Sequence, residues 1–137
     1  MSEASNAAAA AQLVRLAALA ALTDAVLRRT YPSRPEGVAA RAMLSDYYAR
    51  EIEQAAGADF ADLYVALVEA RGAAIDYLSR LIADLAPVIT VEAPASMPSL
   101  YWGYRLYGDP NRGAELVARN AVRHPSFMPA TFSALAR

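Results

Sequence analysis

Residues 105–125 read RLYGDPNRGAELVARNAVRHP and gather most of the side chains of this chain that could do chemistry. His124 is the only histidine among 137 residues, and there is no cysteine. Nucleophilic catalysis would need Ser99 or Ser126 beside His124, but no GxSxG elbow presents either serine. A lone histidine followed by Pro125 is far more often a turn residue than a general base. Without thiolates, and with no carboxylate near His124 in sequence, no metal-ligand set is visible. Asp59 and Asp62, with Glu69 and Asp76 further along, are spaced as a solvated helix face. Glu51 and Glu53 point to different sides. None of these forms the inward, desolvated pair that acid–base work requires. GDPNRG has two glycines but neither P-loop nor dinucleotide spacing, and its composition is that of a capped turn. The expectation is a protein that is not an enzyme and that holds no cofactor and no metal.

Binding chemistry is better represented. Tyr101, Trp102, Tyr104 and Tyr107 fall within seven residues. Aromatics can stack on sugars or bases, although such a cluster is more often core with its hydroxyls at a rim. Arg105, Arg112 and Arg119 recur every seven residues. The turn at 108–111 breaks their common face, so they are expected as interface ion pairs. Asn120 stands where a helix should end, a place suited to a left-handed residue.

The remaining sequence must position these groups. Hydrophobic residues make up 56% and charged residues 20%, the balance of a globular chain of one domain, or one domain with an appendage. All 13 basic residues are Arg and 33 positions are Ala, a bias that a GC-rich genome explains. Residues 1–97 carry 8 Arg against 12 acids, a net −4, and residues 98–137 carry 5 Arg against 2 acids, a net +3. That basic balance is too weak and too dispersed for a nucleic-acid footprint. Glu3 occupies what would be the positive region of a signal peptide. Arg15 interrupts the apolar run, and Asp24, Arg28 and Arg29 follow it, so neither a signal peptide nor a membrane span is expected.

Periodicity predicts a helix over 5–29, capped by Ser2, Ser5 or Asn6, with an apolar face of Leu13, Leu16, Ala20 and Leu27. TYPSRP ends it. A second helix is predicted over 35–56, with Val38, Ala42 or Met43, and Ile52 inward and Gly57 as its cap. The third spans 59–85, with Phe60, Leu63, Tyr64, Leu67, Ile75, Leu78, Leu81 and Ile82 on one side. Gly72 inside it suggests a close helix crossing. After Pro87 the pattern changes. Val88–Val91 is a β-branched strand signal. A short helix is predicted over 99–107, a turn at 108–111 with Asp109 as cap and Pro110 in the first helical turn, a helix to about Asn120, and a short strand near 131–135. The predicted fold is mainly α. A region of about three helices, residues 1–87, precedes a small βααβ unit, residues 88–137.

Several of these residues resemble a known signature. They are Met97-Pro98-Ser99-Leu100, Arg105-Leu106-Tyr107-Gly108-Asp109, Arg112, Glu115-Leu116-Val117-Ala118-Arg119-Asn120 and Val122-Arg123-His124-Pro125, with Phe127 and Pro129. Together they resemble the C-terminal signature of the DNA circularisation (circulation) proteins of Mu-like tailed phages. The resemblance is close over 88–129. Asp62-Leu63-Tyr64 and Leu67 extend it upstream, to about residue 35. The same stretch is similar to a LysM-type βααβ unit, with Tyr107-Gly108, Leu116 and Asn120 in the places of its inter-helix turn and closing Asn. After Pro129 the chain reads ATFSALAR where the family carries Pro-Gly-Gly and a Leu-rich strand. The last strand is therefore expected to be short or to be completed by a neighbour.

The resemblance implies a structural role in a phage tail or tail-like particle, as a baseplate or tail-tube adaptor located in the virion. Its partners would be other tail or baseplate proteins and copies of itself in a ring, hexameric by tail architecture. It implies no small-molecule substrate. Arg105, Arg112, Arg119 and Arg123 would be charged contacts and Tyr101, Trp102 and Tyr107 apolar anchors. Gly108, Asp109, Glu115, Asn120, His124 and Pro125 complete the docking motif. Two other readings stand beside it: a peptidoglycan-binding LysM-type module, and a DNA-handling protein.

Overall fold

The computed structural model describes residues 3–56 and 60–137. It divides into two compact units, Met1–Leu85 and Ala86–Arg137. The architecture is the expected one, three N-terminal helices followed by a LysM-like βααβ unit.

In the first unit, α1 (Glu3–Arg28), α2 (Arg34–Ala56) and α3 (Ala61–Ala83) pack around one core. Its centre is Leu44 and Leu78, both wholly buried, with Leu19, Val26, Tyr48, Leu67 and Ile82 around them. Antiparallel α2 and α3 are cross-tied by Arg41, which donates to Ser79 Oγ at 2.9 Å, and by Arg71, which donates to Ser45 Oγ at 2.7 Å. Arg34 donates to the Leu85 and Ala83 carbonyls at 3.1 and 3.3 Å, placing a cation on the C-terminal end of α3. Buried Ser33, just before α2, donates to Glu36 Oε2 at 2.7 Å in the first turn of the helix. α1 is tied to α2 by an Arg15–Glu51 ion pair at 3.3 Å and a Thr23–Tyr48 hydroxyl contact at 3.1 Å. Glu51 is thus a paired group and not part of a solvated face.

On α3 the predicted face holds, with Leu67, Leu78 and Ile82 buried and Leu63 and Leu81 packed against the core; on α1 and α2 it holds only for Leu16, Leu27 and Ile52. Leu13 is 69% exposed and Ala20 is exposed; Leu19 and Val26 are the buried residues of α1. A helix apolar on nearly every side carries no contrast from which its inward face could be read. By length and composition Glu3–Arg28 is apolar enough to cross a membrane, a test that core helices and signal sequences also pass, and little of it is buried. On α2, Val38, Ala42 and Met43 are exposed and Leu44, Tyr48 and Ala55 are inward, with Ile52 partly so. Phe60 and Tyr64 are exposed beside α3. Nothing lies within 4 Å of a Cβ built on Gly72; the close crossing is at Gly37, whose Cβ would sit 2.7 Å from Ile82 Cγ1. α1 begins at Glu3, so Ser5 and Asn6 lie inside it and not at its cap. The proposed caps Ser2 and Gly57, and Asp59 at the start of the third helix, lie outside the described residues.

In the second unit, β1 (Val88–Glu92) pairs antiparallel with β2 (Thr131–Leu135), Val88 opposite Leu135 and Glu92 opposite Thr131. Between them run α4 (Ser99–Tyr107), a 3-10 turn (Pro110–Arg112) and α5 (Gly113–Arg119). The core is Trp102, Leu116, Met128, Phe132 and Ala134, with Val91, Leu106, Val117 and Val122 against it. The Trp102 ring meets Phe132 edge-on at 5.3 Å.

Candidate functional site

The motif at 105–125 is built around a turn. Gly108 closes α4 at φ 72°, where any side chain would be strained, and its N–H donates to the Tyr104 carbonyl at 2.7 Å. Asp109 then accepts from the Asn111 N–H at 2.9 Å, and Pro110 opens the 3-10 turn, as the sequence predicted. The turn folds α5 back on α4 so tightly that backbone meets backbone. A Cβ on Gly103 would lie 2.7 Å from Gly113 N, and one on Gly113 would lie 2.7 Å from Ser99 O.

At its far end α5 closes in a Schellman motif, Val122 N–H to Val117 O at 3.1 Å and Ala121 N–H to Ala118 O at 3.4 Å. The left-handed residue is Ala121, at φ 49°, and not Asn120 as expected. The Asn120 side chain is thereby free to reach β2. Its Oδ1 accepts from the Ser133 N–H at 2.7 Å, and its Nδ2 donates to Ser133 O at 2.8 Å and to Leu116 O at 2.9 Å. Tyr107 does the same two residues on. Its hydroxyl donates to Leu135 O at 3.1 Å and accepts from the Leu135 N–H at 2.9 Å. The outer edge of β2 is therefore occupied by two side chains acting as a substitute strand.

The Arg112 guanidinium lies 3.5 Å above the Tyr107 ring centroid and donates twice to Glu115 Oε2, at 3.0 and 2.8 Å. Arg112 and Glu115 thus brace Tyr107 from within the unit. Burial raises the Tyr107 phenol above its ordinary value of 10.0, and the Glu115 carboxylate raises it further; the Leu135 N–H, Arg112 and Arg119 pull the other way. A folded value above the unfolded one means that this stability is complete below about pH 10 and is lost as pH rises through the folded value. Tyr107→Phe should cost about 1–2 kcal/mol at neutral pH through the unpaired Leu135 groups. It should also flatten the alkaline loss of stability. Denaturant titrations across that pH range check both, read by Trp102, the only tryptophan.

The surface carries the rest of the motif. Trp102 keeps only 5% of its surface and belongs to the core. Arg123, His124 and Pro125 are exposed, on the segment after α5. That segment is stitched to the β1–α4 loop: Ser99 N–H to Pro125 O at 2.7 Å, Met128 N–H to Met97 O at 3.1 Å, and Ser96 Oγ to Met128 O at 2.8 Å. Along the outer face of α4, Tyr101 and Arg105 form a ridge, Arg105 Nη1 lying 3.4 Å from the Tyr101 hydroxyl. A shallow groove of about 200 Å³ runs on one side, lined by Pro94, Ala95, Met97, Tyr101, Trp102 and Arg105. A wider hollow of about 520 Å³ lies on the other, against Tyr104, Gly108 and Arg137.

No family model matches this sequence, and none of the curated proteins does.

Among the described residues no cluster of three or more His, Asp or Glu could hold a metal ion. The geometry offers an aromatic and guanidinium surface suited to binding: rings for stacking and N–H donors beside them. Gly103 and Gly113 were missed by the sequence reading. Their signal was available in two glycines placed evenly about the turn, one inside each flanking helix pattern.

Proposed function

We propose that the chain works by binding and that Ala86–Arg137 is a LysM-like interaction module whose ligand is the glycan of peptidoglycan. The observation that supports this most directly is the Tyr101–Arg105 ridge between two open grooves, on a βααβ frame with exposed Tyr104 beside it. Tyrosine faces suit the apolar faces of sugar rings, and a guanidinium suits their hydroxyl and acyl oxygens. The full-length chain should co-sediment with purified sacculi. Replacing Tyr101 and Tyr104 together with Ala should weaken that binding roughly tenfold or more, the equivalent of about 1.4 kcal/mol or above. A chain that stays in the supernatant would sink the glycan reading.

A second reading is a docking subunit of a phage tail or tail-like particle, as baseplate or tail-tube adaptor. Two features favour it: the resemblance over residues 88–129, and the exposure of large apolar side chains, Leu13 and Val14 on α1 and Phe127 beyond α5, each above two-thirds exposed. The same preparation distinguishes the two. Quantitative mass spectrometry of purified particles should find the chain at a fixed low ratio to the tail-tube protein if it is a tail subunit, and should not find it otherwise.

A further inference from the structure

The two edges of the β1–β2 pair are finished differently. On β2 the outward N–H and C=O groups of Ser133 and Leu135 are taken by Asn120 and Tyr107. On β1 the register, with the flanking bonds Ala93 N–H to Ala130 O and Ala136 N–H to Pro87 O, turns Ile89 and Val91 toward β2 and leaves Val88, Thr90 and Glu92 facing outward. Among the described residues no hydrogen bond reaches the outward main-chain groups of these three. VITVE has neither proline nor lysine nor bulge, and its one charge, Glu92, stands at its end. Ile89 shares the core-facing side with Val91, opposite buried Ala134, yet it is 41% exposed. An apolar shelf is therefore left uncovered along this edge.

We propose that the outer edge of β1 docks a second copy of this chain, joining two Ala86–Arg137 units through one continuous antiparallel sheet. The strand is complementary to itself. A two-fold axis at Thr90 sets Thr90 against Thr90 of the other copy and Val88 against its Glu92, and these are the residues whose main-chain groups are unused. On the core-facing side the same register lays Ile89 of each copy beside Val91 of the other, which covers the shelf. It also sends the two Glu92 carboxylates to opposite ends of the pairing, whereas a parallel arrangement in register would stack them. This association does not depend on which ligand the module takes.

Two substitutions test it in the full chain. The Thr90 N–H lies on the unused edge, so Thr90→Pro spares the β1–β2 ladder. Sedimentation equilibrium should show wild-type dimers. Thr90→Pro should weaken self-association roughly tenfold or more, since two hydrogen bonds are lost per dimer, with the Trp102-reported melt unchanged at concentrations below the wild-type dimer dissociation constant. The chain has no cysteine, and directly opposed residues of such a pair lie about 5.5 Å apart, within disulfide range. Thr90→Cys should therefore oxidise to a covalent dimer, while Leu100→Cys, on the exposed face of α4, should not. A wild-type monomer at the highest attainable concentration overturns the proposal. So does a Thr90→Pro chain that associates as wild type does, which would assign the contact to the helices. Should Thr90→Pro disturb folding, the cysteine variants decide, and absence of the Thr90→Cys dimer overturns it.

Discussion

Substituting Ala for Gly103 should unfold the Ala86–Arg137 unit. The added Cβ would lie 2.7 Å from Gly113 N and 3.0 Å from the Asp109 and Pro110 carbonyl oxygens, all of them backbone atoms. Backbone fixed by a left-handed Gly108, an Asp109 cap and a proline cannot shift as a flexible side chain would. Overpacking of this kind costs about 3 kcal/mol or more. A unit of this size rarely has more than about 3–5 kcal/mol to lose. Trp102 sits in that core, and the first unit has no tryptophan, so its fluorescence reports this unit alone. The expected spectrum is that of a solvent-exposed indole at room temperature. Gly72→Ala is the matched control. Its Cβ would meet nothing within 4 Å, and it sits in the middle of α3, so it should stabilise the first unit by up to about 1 kcal/mol. A native Trp102 spectrum in Gly103→Ala would mean that α4 and α5 can part without cost.

Asn120→Ala should be the next most damaging change. The amide makes three hydrogen bonds, to Leu116 O and to both main-chain groups of Ser133. Ser133 is only partly buried, so water recovers some of what is lost. A cost of about 2–3 kcal/mol follows. For a unit this small that lowers the Trp102-reported transition by roughly 10 °C or more. Asn120→Asp keeps the size of the side chain but removes its N–H donors. A carboxylate presents only acceptors to the Ser133 and Leu116 carbonyls and adds a negative charge at the C-terminal end of α5. A melting profile for Asn120→Asp close to that of Asn120→Ala is the expected result.

The same residue shows where the sequence could and could not be read. Local chemistry was legible. The β-branched run at 88–91, the Gly-Asp-Pro turn with its Asp109 cap, and the strand at 131–135 all depend on neighbours in sequence. Asn120 was recognisable as belonging to a helix end, but its amide acts on Ser133, thirteen residues away, and Ala121 takes the strained backbone. Tyr107 likewise looked like an apolar anchor for a partner; its hydroxyl is spent on Leu135. Arg112 looked like an interface ion pair, but it stacks on Tyr107 and pairs with Glu115 inside the unit. Contacts across the fold leave no periodic trace in the chain. In α1 and α2 the difficulty was different. Alanine is apolar enough to mark every face as inward, so Leu19 and Leu44 could not be told from Leu13 and Met43.

The pairing of β1 with β2 also bears on the order of assembly. The strands that must meet are the first and last elements of the unit, whereas α4, the Asp109 turn and α5 contact one another locally. Closing the long loop is entropically the slower event. The helical hairpin is therefore expected to form first and the sheet to close over it, with Tyr107 and Asn120 placed to receive β2. In that order β1 would stand with both of its edges bare until the sheet closes, and refolding at high concentration should then favour pairing with a strand other than its own.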